Sequence, residues 1–261
     1  DRAIPVLHIG NGNRRVLYVG AHHGMEWITS LVLTQFLEEL CEIVESKRRV
    51  CGIYPCDLLD GYTLSVIPML NPDGVDLQIH GADGVPFRDK LIEMNRGSTD
   101  FSHWQANGRG VDLKHNFDAG FEEYRAHANS IGITQGCSAG FGGESAESEV
   151  EAAYLGRYIR YLQPQLHAIV CLETEGEKIS YAADNVIYPR TLALARILSR
   201  LTSYALLPTK EPERSAGCVD WVTQKLQIPA FTVSCGRGQR PLPQEEYFCI
   251  YASLREMLFQ V

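Results

Sequence analysis

The sequence contains no run of about 18 apolar residues, which excludes a membrane-spanning helix on length alone. Clustered Lys and Arg are also lacking. The sole basic run, Lys47 to Arg49, reads as the solvated end of a helix, and a formal net charge of -8 opposes a nucleic-acid surface, which needs cations to displace counterions from phosphates. The eight cysteines (41, 51, 56, 137, 171, 218, 235 and 249) include no CxxC pair, and several sit in apolar runs where a thiol behaves as a small hydrophobe. Reduced thiols are therefore expected over a disulfide framework. Internal repeats, low-complexity stretches and a glycine-flanked GxSxG elbow are all missing. Without such an elbow, Ser234-Cys235 reads as a serine beside a structural cysteine, not as a nucleophile. No signal peptide is visible, although Asp1 is not a natural start and leaves room for a leader removed ahead of it. A soluble protein is expected, with the cytoplasm favoured.

What the 261 residues do hold is 45% hydrophobic and 21% charged, enough apolar material for a core and no compositional ground for disorder. One domain spanning 1–261 is expected. Arg15 to Gly20 is a β-rich run, and from Trp27 to about Val44 apolar residues recur at helical spacing. A second strand, Tyr62 to Met69, ends in Asn71-Pro72-Asp73-Gly74, read as a turn that reverses the chain. Residues 75 to 143 show weak periodicity and read as long loops carrying short elements. Ser148 with Glu151 has the spacing of a capping box before a helix running to about Leu162, and His167 to Leu172 reads as a buried strand. A short strand at Lys178 to Ala182, helices near 189–205 and 218–226, a strand at Ala230 to Val233 and a helix after Pro243 complete the pattern. Strands alternating with helices predict an α/β fold: a mixed, largely parallel twisted sheet with helices on both faces. Ligands on such sheets sit at the carboxyl ends of the strands, here just after residues 20, 172 and 233.

At the first of those ends, Gly20-Ala-His-His-Gly-Met-Glu26 places His23 and Glu26 three apart at a strand-to-helix turn, where imidazole and carboxylate can converge on one ion. By itself HxxE is equally the pattern of a surface histidine and a helix-start glutamate. The run His22-His-Gly-Met-Glu-Trp-Ile-Thr29 is accompanied, in order, by five further blocks. These are Asn71-Pro-Asp-Gly74, Gly110-Val-Asp-Leu113 with Asn116-Phe117, Asp220-Trp221, Pro229-Ala-Phe-Thr-Val233, and Gly236-x-Gly238 with Pro241-Leu-Pro243. Together they resemble the M14 zinc carboxypeptidases over nearly the whole chain. Trp104-Gln-Ala-Asn107 and Glu173-Thr-Glu-Gly-Glu177 look most like the bacterial branch that cleaves γ-D-glutamyl bonds to diamino acids in peptidoglycan stem peptides.

The resemblance implies a metal held by His23 and Glu26 with a third ligand at the position of Glu173, where the family has histidine. One zinc per chain, another divalent ion, or none are all compatible with a set this anionic. Asp112 matches the carboxylate that accepts a hydrogen bond from the first histidine ligand; the plain alternative is a loop aspartate capping its own turn. Ser234 stands where the family places its general-base glutamate, and serine cannot fill that role at neutral pH. Glu175 is the candidate substitute, and otherwise it lines a reshaped pocket. Lys114 and His115 replace an Asn-Arg pair that binds substrate carboxylate, Gln105 stands where a cationic oxyanion stabiliser is expected, and Arg109, Arg237 and Arg240 are nearby sources of positive charge. Four changes at one pocket imply a peptide or peptidoglycan-fragment binder with lost or strongly altered hydrolysis. The alternative is an active metal-dependent peptidase or amidase with a His-Glu-Glu site.

Overall fold

The computed structural model describes residues 2–174, 176–181, 188–207 and 216–260. Seven strands form one sheet: β1 (Leu7–Gly10), β2 (Arg14–Val19), β3 (Tyr62–Ile67), β4 (Leu166–Thr174), β5 (Lys178–Ser180), β6 (Ala205–Leu207) and β7 (Ala230–Cys235). Their order is β1-β3-β2-β4-β7-β5-β6. The four central strands are mutually parallel, while β1 runs antiparallel to β3 and β5 antiparallel to β7, so the sheet is mixed and largely parallel.

Alternation along the central strands divides the core. Val16 and Tyr18 of β2, Ala168 and Val170 of β4, and Phe231 and Val233 of β7 pack on one face against α1 (Ile28–Ser46), α7 (Pro189–Thr202) and α9 (Tyr247–Gln260). On this face Tyr18, Phe36 and Phe259 meet edge to face, with ring centroids 5.7 and 5.0 Å apart. Leu17, Val19, Ile169 and Ala230 point the other way, onto α6 (Val150–Leu162) and α8 (Cys218–Trp221), which continues as a π turn, Val222–Leu226.

A short helix, α2 (Pro55–Leu58), precedes β3, and between β3 and β4, ahead of α6, lie three helices that the weak periodicity of residues 75–143 concealed: α3 (Pro72–His80), α4 (Arg88–Met94) and α5 (Phe121–Ser130). α5 buries only Phe121, Tyr124 and Ala128, too short a stripe to stand out in sequence. Asn71-Pro-Asp-Gly74 is not a turn but the start of α3. The Asn71 side chain caps it by accepting from the Gly74 amide, and Pro72 occupies the first turn, where its missing N–H costs nothing. The capping box ahead of α6 does not form either. The Ser148 hydroxyl instead bonds Glu149 and accepts from Asn116 Nδ2, and Glu149 takes the cap position. β1 and β6 are two short strands without a sequence signal, and β7 extends two residues past the predicted Val233. The predicted end of the fifth strand, Ala182, lies outside the described residues. All eight cysteines are free thiols. No helix among the described residues is long and apolar enough to cross a membrane.

Candidate functional site

The turn after β2 is held by backbone contacts that require small residues. A Cβ on Gly24 would lie 2.4 Å from the Gly74 carbonyl oxygen and 2.8 Å from that of Trp104, so this segment approaches its neighbours as closely as only glycine permits. Asn71 Nδ2 donates to the carbonyls of His22 and Ala106 at 3.0 and 3.2 Å, tying the turn to the start of α3 and to the 104–107 loop. The result is that His23 and Glu26, on a single 3-10 turn, are both buried. The surface-histidine alternative is thereby excluded.

His23 Nε2 donates to Asp112 Oδ1 at 3.0 Å. Asp112 also accepts from the amides of Lys114 and Gly140, so one carboxylate orients the imidazole and two loops at once. Burial opposes its charge, but His23 and these donors hold its pKa far below the ordinary carboxylate range. The other ring nitrogen, Nδ1, lies 3.2 Å from Glu26 Oε2, close but without hydrogen-bond alignment; both atoms are buried and lack a hydrogen-bond partner. Glu26 Oε1 accepts from the Thr174 amide and hydroxyl at 3.2 and 3.0 Å and faces Arg240 at 3.3 Å. Burial raises the Glu26 pKa, but His23, Lys114 and Arg240 outweigh it and keep the carboxylate ionised.

Two donors on a tetrahedral zinc, with bonds of about 2.0–2.1 Å, are about 3.3 Å apart. The two orphaned atoms of His23 and Glu26 therefore fit one edge of such a site. The remainder does not fit. Glu173 is turned to Lys114, whose Nζ donates to its Oε2 at 2.6 Å, and among the described residues no group of three or more His, Cys, Asp or Glu side chains is arranged to hold a metal. Burial works against the Lys114 ammonium, yet Glu173 and Glu26 together raise its pKa. With Lys114 and Arg240 both close to Glu26, fixed cations already neutralise carboxylates that a divalent ion would otherwise bind.

Lys114, Glu173 and Arg240 open onto a cavity of about 240 Å³. Its floor follows from strand register. Glu173 lies beside Ser234, and Ser234 beside Lys178, giving one row across β4, β7 and β5; Cys171, Thr232 and Ser180 form the next row. All six side chains line the cavity, with His22, Lys114, Arg240 and the segment Gly217 to Asp220 as walls. Ser234 thus sits at the centre of the floor, with no carboxylate at its strand position. Glu175 lies outside the described residues.

The other sequence candidates disperse. His115 is stacked flat on Tyr124, with centroids 4.0 Å apart, which carries it away from the cavity. Gln105 contributes backbone: its carbonyl accepts from Gly24 and its amide donates to Ser138. Arg109 and Arg237 are largely exposed and pair with Glu149 and Glu177. Of the six polar and cationic candidates, Lys114 and Arg240 line the cavity and the other four do not. Sequence reasoning passed over Lys178, Ser180 and Thr232; the polar-Ile-polar alternation of Lys178-Ile-Ser180 was the available signal.

A family model described as zinc carboxypeptidase matches residues 1–248. The chain is 33% identical over 250 residues to γ-D-glutamyl-L-diamino acid endopeptidase 1 of Lysinibacillus sphaericus, covering 95% of this chain and 61% of that protein. It is 27% identical over 183 residues to human carboxypeptidase B, covering 69% and 39%. The fold matches carboxypeptidase A from Helicoverpa armigera with a TM-score of 0.71 at 17% identity, over 99% of this chain and 64% of that one. It matches the murein-tripeptide amidase MpaA from Escherichia coli O157 with a TM-score of 0.55 at 19% identity, over 99% and 94%. The chain thus spans only about three fifths of the Lysinibacillus protein's length.

Proposed function

We propose a binding role for this chain, which belongs to the zinc carboxypeptidase family: its cavity holds a peptide of the peptidoglycan stem type and does not carry out ordinary metal-assisted hydrolysis. The observation that supports this reading is the Lys114–Glu173 ion pair, which occupies the third-ligand position with a neutralised carboxylate, beside Ser234 where a general base is needed. Loss of a positioned acid-base group costs about two to four orders of magnitude in rate. The ligand class is suggested by the relationship to the Lysinibacillus endopeptidase.

A second reading, an active His-Glu-Glu metallopeptidase or amidase, is favoured by the orphaned edge formed by His23 Nδ1 and Glu26 Oε2. Elemental analysis after zinc or manganese loading, paired with product release from γ-D-glutamyl-diaminopimelate, separates the two. The binding role predicts substoichiometric metal, measurable affinity for the dipeptide and no turnover. About one metal per chain, lost in His23→Ala, together with ordinary turnover would establish the second reading.

A further inference from the structure

Not every cation around the cavity is held in an ion pair among the described residues. Lys114 is matched by Glu173 at 2.6 Å, and Arg240 faces Glu26 at 3.3 Å. Asp220 is engaged by the Gly217 amide at 3.3 Å. Lys178 lines the same cavity and has no ion pair among the described residues. Ser234 in its own row and Ser180 and Thr232 in the next row add donors: their hydroxyls make no hydrogen bond to the described residues, yet all three residues line the cavity. Strand interiors facing a sheet's covered side are ordinarily apolar, as Ile169 and Ala230 are a few residues earlier on the same face. A lone ammonium with three unused hydroxyls on adjacent strands is an arrangement that donates hydrogen bonds, the ammonium's charge-assisted, to an anion's oxygens.

We infer that Lys178, with Ser180, Thr232 and Ser234, forms a subsite for a carboxylate of the bound peptide, so that the cavity selects acidic ligands. The inference rests on the proposed peptide-binding role and names the feature of the ligand that the cavity reads. The oxygen lone pairs of a carboxylate lying on the floor can be met by the ammonium and by hydroxyls from β5 and β7, which stand on strands held by the ladder and not on loops. The guanidinium of Arg240 and the ammonium of Lys114, already matched by carboxylates, supply a positive rim without competing for the ligand.

The test uses isothermal titration of the full chain with γ-D-glutamyl-diaminopimelate and with the same dipeptide having every carboxyl converted to carboxamide. The acidic form is expected to bind about tenfold more tightly or better, the scale of one charge-assisted contact. Lys178→Met should bring the acidic form down to about the level of the amide form, and Lys178→Arg should retain most of the preference. Equal affinity of the two forms for the unaltered protein overturns the subsite and leaves the binding role standing. A preference that survives in folded Lys178→Met also overturns it. If neither form binds, the binding role and the subsite fall together.

Discussion

The β2 turn next to the cavity is a supporting wall whose side chains also hold the backbone together, whereas the side chains of the cavity's floor hold little beyond Lys114. On the β2 side, His23, Asp112, Asn71 and Gly24 knit the strand-to-helix turn to loops 104–107 and 138–142. On the β4, β7 and β5 side, Glu173, Ser234 and Lys178 stand on strands whose ladder hydrogen bonds are made by the backbone whatever the side chains are. The difference teaches why a site can change chemistry on one side only. Replacing a residue in the wall breaks several buried hydrogen bonds at once, while replacing one on the floor changes what the cavity binds and leaves the sheet intact.

The comparison can be broken most severely by converting the floor. Glu173→His with Ser234→Glu, which removes the anchor of Lys114 and supplies a base, should raise turnover of γ-D-glutamyl-diaminopimelate by about a hundredfold or more and bring zinc with it, read by product release and elemental analysis. No gain would show that the wall side had also lost its competence. Next, Asp112→Ala leaves the buried His23 ring N–H and two backbone amides without their acceptor; at about 1–3 kcal/mol for each unsatisfied donor, a loss of about 3–5 kcal/mol in urea unfolding is expected. Gly24→Ala forces carbonyls apart in the same wall and should cost about 1–3 kcal/mol. Ser234→Ala, on the floor, should stay within about 0.5 kcal/mol of the parent protein. A cost for Ser234→Ala comparable with that of Gly24→Ala would erase the distinction.

A modest effect lies outside both regions and calibrates them. Glu39 meets Arg255 Nε at 2.8 Å and Tyr251 on the helix layer, and its pKa is lowered chiefly by the Arg255 hydrogen bond. A carboxyl with a depressed folded-state pKa stabilises the protein above its unfolded pKa, and that contribution is lost as pH falls through the lower folded value. Glu39→Gln should therefore remove about 0.5–1 kcal/mol at neutral pH and flatten the acid limb of the unfolding curve, with no effect at the cavity.

Much of the molecule was legible before folding was considered. Period-two and helical patterns located the four central strands, α1, α6 and α9, because each buries an apolar face large enough to mark the sequence. His23, Glu26 and Asp112 were legible because local spacing and a family pattern coincide. Asn71 was misread because an Asn-Pro-Asp-Gly run offers the same chemistry to a turn and to a helix cap; only the free Gly74 amide above its side chain decides between them. Arg109, Arg237 and His115 were plausible binders by type, but exposure and stacking on Tyr124 carry them elsewhere, and neither is written in a local pattern.

Residue identity and near-neighbour spacing were enough to give the sheet-and-helix order, the HxxE turn, and the presence of Glu173 and Ser234 at the ends of two strands. Only the tertiary structure decided that Lys114 neutralises Glu173 across 59 positions and that Lys178 stands two strands from Glu173 with Ser234 between them. Such pairings arise from strand order and register, and no local pattern in the chain specifies which distant strands will lie side by side.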